Sequence, residues 1–537
     1  VQKDGNRVDV SRYASITPID DGAVRVIESP LSLVPLRRGR HVVIARVGPR
    51  LTTGEFFVMN EMRSELTPPA PPLEQSQVNS TSVTPRSFID LEIEAIQLKI
   101  GVQPGPTIDD LAFLRRATLD LCGRIPTIEE CNTFIADHSP SRRTAAVERL
   151  LTSDDWLNYW SDRWLEMLQA GPDTSSGDST SREYYREFIR QQLASDRAVP
   201  QILTELVLAD GNPEENGAAG FYLSRKDGRG QAELFSEAIM GVRLRCANCH
   251  DHPFDHWTQD DYHGLAALFA GIQRAPKVQW RPGATNVHPA TGMPALGRTP
   301  DGEQVDSSVD PRPKLAAFIN RNSHSTIAVA WANRGWKWLM GRGLMEPEDD
   351  LRVTNPPTHP ELLRALVQHW EQDDYTWRGL MRMIVLSDTY ARAVHWQTGN
   401  ETLEQSTLAY HLYATQRPRK LPTHVLEKCF AQVLEQPLRL LHPDTLEGQI
   451  ACIAGEEINR ALTSETSPIA NWERQLNNNS SPDATVDAIY LRIYSRQPSS
   501  AELLFWHDEL RDPQSRRSVL EDMIWSLLAS QEFLTNH

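Results

Sequence analysis

The sequence predicts a mainly α protein: a large multi-helix body preceded by a small N-terminal β module. Three observations predict it. Apolar residues recur at helical spacing through most of the chain after residue 88. The first 60 residues show short β-branched runs broken by Gly- and Asp-containing turns. A Pro/Ser/Thr-rich stretch separates the two. The 537 residues, 40% hydrophobic and 23% charged, suffice for several domains and exclude wholesale disorder. The reading divides the chain into a β domain over 1–60, a linker over 61–87, a first helical domain over 88–271, an irregular connection over 272–311 and a second helical domain over 312–537.

In the β module, Val24, Val26 and the run His41-Val42-Val43-Ile44-Ala45 supply strand residues. Asp20-Asp21-Gly22, Arg38-Gly39-Arg40 and Thr53-Gly54 supply turns. The stretch DVSRYASITPIDDGAVRVIESPLSLVPLRRGRHVVIARVG resembles bacterial immunoglobulin-like domains of surface proteins. It is short for a whole sandwich, which makes it a partial copy. In the linker, proline favours extended chain and the Ser/Thr/Asn/Gln half has little to bury.

The first body helix carries Phe88, Ile89, Leu91, Ile93, Ile96, Leu98 and Ile100 largely on one side and stops at Gly101 and the Gln103-Pro104-Gly105-Pro106 turn. Further helices are expected at about 108–121, 127–137, 140–152, 154–170, 181–194, 198–208, 230–244 and 260–271. The second half adds about 312–321, 325–341, 359–372, 376–388, 404–415, 422–435, 455–475, 483–494, 499–511 and 513–530. Little β structure is expected after residue 60.

The body contains an internal echo. GRIPTIEE, then Arg142-Arg143, then LLTSDDW is repeated near the C-terminus as SRQPSSAE, Arg516-Arg517 and LLASQEF. Arg124, Pro126 and Glu130 align with Arg496, Pro498 and Glu502 at one offset. A third, partial copy runs from Glu361 to Leu386-Ser387-Asp388-Thr389-Tyr390. The expected unit is a helical hairpin whose Ser-x-x-aromatic ending caps a helix through Ser and packs the aromatic ring back on the pair.

Charge restricts function. With 55 Lys+Arg against 71 Asp+Glu the formal charge is −16, which weighs against nucleic-acid binding. The acidic excess lies outside the β module, which carries nine basic and six acidic residues, a net +3. No run of 18 apolar residues exists, so no spanning helix is expected. The opening VQKDGNRVDV lacks a signal pattern; the chain is either cytosolic or begins after a removed leader.

Six cysteines are too few for a disulfide scaffold. Cys122, Cys131, Cys429 and Cys452 are expected as small buried apolar residues. Cys122 with Cys131, or Cys429 with Cys452, would pair only in an oxidising compartment. The remaining two lie in Cys246-Ala247-Asn248-Cys249-His250, a C-x-x-C-H. In haem c attachment two thiols bond the two vinyl groups of one porphyrin, two intervening residues on a turn set the sulfur spacing, and the next His ligates iron.

The same region admits other readings. Cys246, Cys249, His252 and His256 form a thiolate–imidazole set of the kind zinc takes, though far more compact than a zinc finger. The pair also reads as reduced or disulfide-bonded cysteines in a polar helical turn, with His252 and Asp255 as caps and hydrogen-bond partners. If haem is bound, a sixth ligand would come from His256, His263, His324, His359, Met340 or Met345, or the iron would stay five-coordinate. Glu346-Pro347-Glu348-Asp349-Asp350 lacks the oxygen spacing and Gly of a calcium loop and reads as a solvated acidic turn. Gly341-Arg342-Gly343 lacks the Lys-Ser/Thr of a phosphate loop, and Asp154-Asp155 belongs to no recognisable triad.

Long segments carry a family resemblance. FLRRATLDLCGRIPTIEECNTFIAD, LLTSDDWLNYWSDRW and GVRLRCANCHDHPFDHW resemble the first of two paired domains of unknown function found in planctomycete and related bacterial proteins, often beside a cytochrome c domain. WANRGWKWLMGRGLMEPEDDLRVTNPPTHPELLRAL, IVLSDTYARA, RPRKL and SRQPSSAEL with DMIWSLLASQEFLTNH resemble the second. The resemblance covers about 88–537 and is weakest between 430 and 480. One departure is Met340, where the family has an aromatic residue. The resemblance implies an exported protein of the periplasm or cell surface, a helical body and haem c at Cys246, Cys249 and His250; it supplies no reaction. Trp331, Trp336 and Trp338 read as core residues, with a haem edge as the alternative.

Three functions therefore stand as expectations. The first is an exported haem protein acting in electron transfer or redox chemistry, with a redox partner. The second is a metal-dependent hydrolase or binding module. The third is a cell-surface structural protein whose β module binds a glycan or another surface ligand.

Overall fold

A computed structural model describes residues 2–3, 6–7, 14–28, 31–47, 50–58, 87–168, 179–275, 277–306, 308–321, 326–394, 403–439, 455–478 and 480–537. Linker residues 61–86, His324 and Cys452 lie outside these residues, and with them the Cys429–Cys452 pairing. The fold is a mainly α body with a small N-terminal β module. The chain forms two compact units: 1–104 with 161–389 and 402–414, and 105–160 with 390–401 and 415–537. Each unit is thus assembled from separated stretches, across the sequential division expected from the linker and the irregular connection.

In the first unit, strand Gly39–Val47 sits between Ser15–Pro18 and Arg50–Val58 in an antiparallel sheet, with Ser15 opposite Arg46 and Gly39 opposite Val58. Val24–Glu28 and Leu31–Pro35 form a separate hairpin. Alternate residues of the central strand, beginning at Gly39, His41 and Val43, turn to a buried face, as period-two patterning requires. Helix Phe88–Ile100 starts at Ser87, whose hydroxyl accepts from the Ile89 amide. Its Asp90 carboxylate accepts from the Thr389 amide and hydroxyl, both at 2.7 Å, and from the Asp388 amide at 3.1 Å.

The core of this unit is aromatic. Trp164, Trp331 and Trp377 pack with ring centroids 4.6, 5.6 and 6.0 Å apart and are essentially unexposed. Trp331 and Trp336 are therefore core residues. Two expected helices are broken. The stretch expected at 230–244 is a helix over Gly228–Leu234 and a wide π turn over Phe235–Met240, ending at Gly241. The stretch expected at 455–475, in the second unit, divides into Glu456–Thr463 and Pro468–Asn477, because Pro468 has no amide hydrogen and sits in the first turn of a new helix. Among its described residues the connection over 272–311 forms two-residue strand pairs and isolated bridges, yet its Gly297 lies so close to Leu268 that a Cβ would come within 2.8 Å.

In the second unit the echo is a repeated structure. Helix Asp110–Cys122 ends at Gly123 (φ 62°) and helix Pro482–Tyr494 at Ser495 (φ 56°); each residue's amide donates to a carbonyl four residues back, Leu119 or Leu491, at 3.0 Å. Arg124 then forks onto Glu130 (2.7 and 2.9 Å) and reaches Asp155 (2.6 Å). Arg496 forks onto Glu502 (2.9 and 3.0 Å) and reaches Glu532 (2.6 Å). Both acids also complete capping boxes, with Thr127 and Ser499. Ser153 accepts from the Trp156 amide and Ser530 from the Phe533 amide, both at 3.1 Å, and both rings are fully buried. Asp120, also buried, accepts from the Tyr390 hydroxyl (2.7 Å), Arg419 (2.7 Å) and Asn536 (2.8 Å), which joins the separated stretches of this unit.

Cys122, Cys131 and Cys429 are free and buried. Burial pushes their thiols up, to about 12 for Cys122 and about 11 for the other two. Among the described residues no helix is long and apolar enough to cross a membrane.

Candidate functional site: the C-x-x-C-H turn

The site begins where the π turn ends. Gly241 adopts φ +70°, and a Cβ there would lie 2.9 Å from the Ala330 Cβ, so glycine is needed both for the backbone and for the close approach. The end of the helix leaves carbonyls unpaired. Arg334 donates to the carbonyls of Ala238 (2.5 Å) and Glu237, and Trp331 to that of Ile239 (3.3 Å). Arg334 is fully enclosed, and burial lowers its guanidinium to about 10. Leu351 donates its amide to the Gly241 carbonyl at 2.8 Å. The segment before the cysteines is therefore fixed by helix Thr326–Met340 and by residue 351.

The cysteines follow on one short 3-10 turn, Arg245–Asn248, with Cys249 directly after it. Ala247 is buried and anchors the turn, whereas Cys246, Cys249 and His250 are exposed. Both thiols are free. His250 Nδ1 lies 2.8 Å from the Asp251 carbonyl oxygen, which can only accept, so Nδ1 carries the proton and Nε2 presents its lone pair.

The loop beyond is pinned. The His252 amide donates to the Trp257 carbonyl at 2.7 Å, and Thr258 caps helix Gln259–Ala270 in a box with Asp261. Arg46 of the β module donates to the Pro253 carbonyl at 2.7 Å. Thr354 donates to the Phe254 carbonyl at 3.0 Å, and the Arg352 guanidinium lies 5.4 Å from the Phe254 ring centroid.

The remaining predicted residues do not converge. His256 bonds Asp255 at 2.8 Å, and this hydrogen bond raises its imidazole above the ordinary value, against partial desolvation. Burial lowers His252, whose Nδ1 accepts from the Phe254 amide at 3.3 Å. Among the described residues no three His, Cys, Asp or Glu side chains are grouped so as to hold a metal ion, so the four donors of the zinc set are not assembled. His263 is buried and hydrogen-bonded through both ring nitrogens. His359 is fully buried on Tyr413 and held low, at about 3, by desolvation and then by Arg40 and Arg342. Met340 and Met345 are core residues. The acidic turn is ion-paired, with Lys337 on Glu346 (3.0 Å) and Glu348, Arg243 on Asp349 (2.6 Å) and Arg352 on Asp350 (3.2 Å).

Residues 88–274 match the family model PSCyt2, a protein of unknown function (DUF1549), and residues 311–438 match PSD1, a protein of unknown function (DUF1553). The chain therefore carries a PSCyt2 domain followed by a PSD1 domain. Comparison with curated proteins and with solved structures finds no match. The C-x-x-C-H turn and its capping helix lie in the PSCyt2 segment, while Thr354 and Arg352, which hold the loop, come from the PSD1 segment.

The fit to haem c rests on the donor set. Two free thiols are exposed on one turn, and the adjacent imidazole has the tautomer an iron ligand requires. Sequence reasoning missed three groups that hold this region: Gln259, which donates to the Asn248 carbonyl, Asn286, which hydrogen-bonds His263, and Arg46 on the Pro253 carbonyl. Gln259 and His263 are four residues apart and share a helix face, a signal available in the sequence. Asn286 and Arg46 carried none.

Proposed function

We propose that the chain is an exported c-type haem-binding protein with an electron-transfer or redox role. Cys246 and Cys249 hold the macrocycle through thioethers, and His250 Nε2 is the iron ligand. Bound in this way, haem supplies one-electron chemistry at iron. The carrying observation is the imidazole tautomer beside two free, exposed thiols. The chain's part is to present both thiols outward on a short turn, to hold His250 by the Asp251 carbonyl, and to fix the following loop through Arg46 and Thr354. Periplasmic or cell-surface placement, with a redox partner, completes the reading and follows the family resemblance. Zinc has no comparable support, since its four donors stand apart.

A pyridine haemochrome spectrum of protein produced with c-type maturation tests this reading. A haem band that survives denaturation and disappears when Cys246→Ala and Cys249→Ala are combined is expected. No covalent haem on chains with intact cysteines overturns it.

A further inference from the structure

We propose that His263 is a positioning residue that clamps the C-x-x-C turn from behind and sets the separation of its two thiols. The inference deepens the haem reading but rests on geometry that exists without haem.

The clamp closes on the carbonyl of Asn248, which lies between the cysteines. That oxygen faces His263 Nε2 at 3.0 Å and accepts from Gln259 Nε2 at 3.1 Å. Gln259 is itself fixed, its amide donating to Asp251 Oδ1 at 3.0 Å. The tautomer of His263 follows from its neighbours. Arg229 Nε can only donate, and it lies 3.0 Å from Asn286 Oδ1. The other end of that amide, Nδ2, therefore faces His263, donating to its Nδ1 and to its carbonyl, both at 3.1 Å. Nδ1 is thus an acceptor, and the ring proton sits on Nε2, aimed at Asn248.

His263 has no exposed surface, and Asn286 is 8% exposed. Burial lowers the imidazole below its ordinary value, and a proton on Nδ1 would meet the Asn286 amide hydrogen. The relay Arg229–Asn286–His263–Asn248 consequently holds one tautomer. A turn pinned at its middle carbonyl presents Cys246 and Cys249 at one fixed spacing, which attachment to the two vinyl groups of a single ring requires.

The test compares His263→Leu, which has no donor, with His263→Gln, which retains an N–H. On the haem-free chain, dibromobimane, which bridges two nearby thiols, should link Cys246 to Cys249 in the wild type. Its yield should fall several-fold in His263→Leu and recover largely in His263→Gln, with single alkylation by iodoacetamide unchanged. On haem-loaded protein, peptide mass mapping should show a shift from two thioethers to one in His263→Leu. Wild-type bridging in a His263→Leu chain of wild-type melting temperature overturns the clamp, whether or not haem attaches. A wild type that takes no haem yet loses bridging in His263→Leu overturns the haem reading and supports the clamp. Should His263→Leu not fold, ¹⁵N histidine NMR of the wild type decides. An Nε2–H tautomer at pH 8 is expected, and an Nδ1–H tautomer overturns the proposal.

Discussion

The duplicated hairpins of the second unit and the C-x-x-C-H turn of the first use polar groups in opposite ways. In the hairpins, Arg124 and Arg496 meet carboxylates that also cap helices, and the network closes on itself. In the turn, polar groups bind backbone from behind or beside it, at Asn248, Asp251 and Pro253, while Cys246, Cys249 and His250 face solvent. The difference teaches how to separate structure from chemistry here. A motif whose charged groups are mutually satisfied is architecture, and one whose reactive groups are held but unused is a site.

That contrast is broken most severely at the cysteines. Cys246→Ala and Cys249→Ala together should abolish covalent haem while shifting the melting temperature of the haem-free chain little, because exposed side chains usually contribute within about 0.5 kcal/mol. Denaturing gels stained for haem, with calorimetry of the haem-free protein, check both halves.

The hairpins should behave in reverse. Arg124→Leu leaves Glu130 unpaired where both side chains are less than a fifth exposed, and should cost about 2–3 kcal/mol. Arg496→Leu acts where the side chains are about a third exposed, and should cost about 1–2 kcal/mol after solvent screening. Urea unfolding measures both, and haem attachment should be unchanged in each.

The two helix ends sharpen the comparison between the copies themselves. Gly123 lies 2.5 Å, measured from an added Cβ, from the Tyr159 ring. Gly123→Ala should therefore destabilise by about 2 kcal/mol. At Ser495, where a side chain already tolerates φ 56°, Ser495→Gly should stabilise by up to about 1 kcal/mol. Opposite signs in the same unfolding assay are expected.

The smallest effect is a pH dependence. Hydrogen bonds from Arg496 hold Glu502 down to about 2, below an ordinary value of 4.5. A lowered carboxylate stabilises fully above its unfolded value, and that contribution is lost as pH falls from 4.5 toward 2. Allowing for exposure, it amounts to about 1 kcal/mol. Glu502→Gln should flatten acid unfolding in this window.

Much of the architecture was legible because it is local. Thr127 and Ser499 each stand three residues before a Glu, and capping boxes formed at both. The echo predicted a shared hairpin, and the matching ion pairs confirm it. Two helices broke where local pattern met a competing demand: at Gly241 the approach of helix Thr326–Met340, and at Pro468 a missing amide. At the site, the C-x-x-C-H is visible as a motif, but the sequence offers His263 as one of several axial-ligand candidates. Its relay depends on Asn286, which is brought up by a stretch that reads as irregular chain.

The sequence alone determined the helical body, the separate β module, the capped hairpins and the two thiols beside an imidazole. Each of these follows from spacing, propensity or residue type within a few turns of chain. Only the tertiary structure decided how distant stretches combine into each unit, which histidines are enclosed and which remain open, and that the carbonyl between the cysteines is gripped by an imidazole of fixed tautomer. Those outcomes depend on burial and on hydrogen bonds between residues far apart in sequence, and no local pattern encodes them.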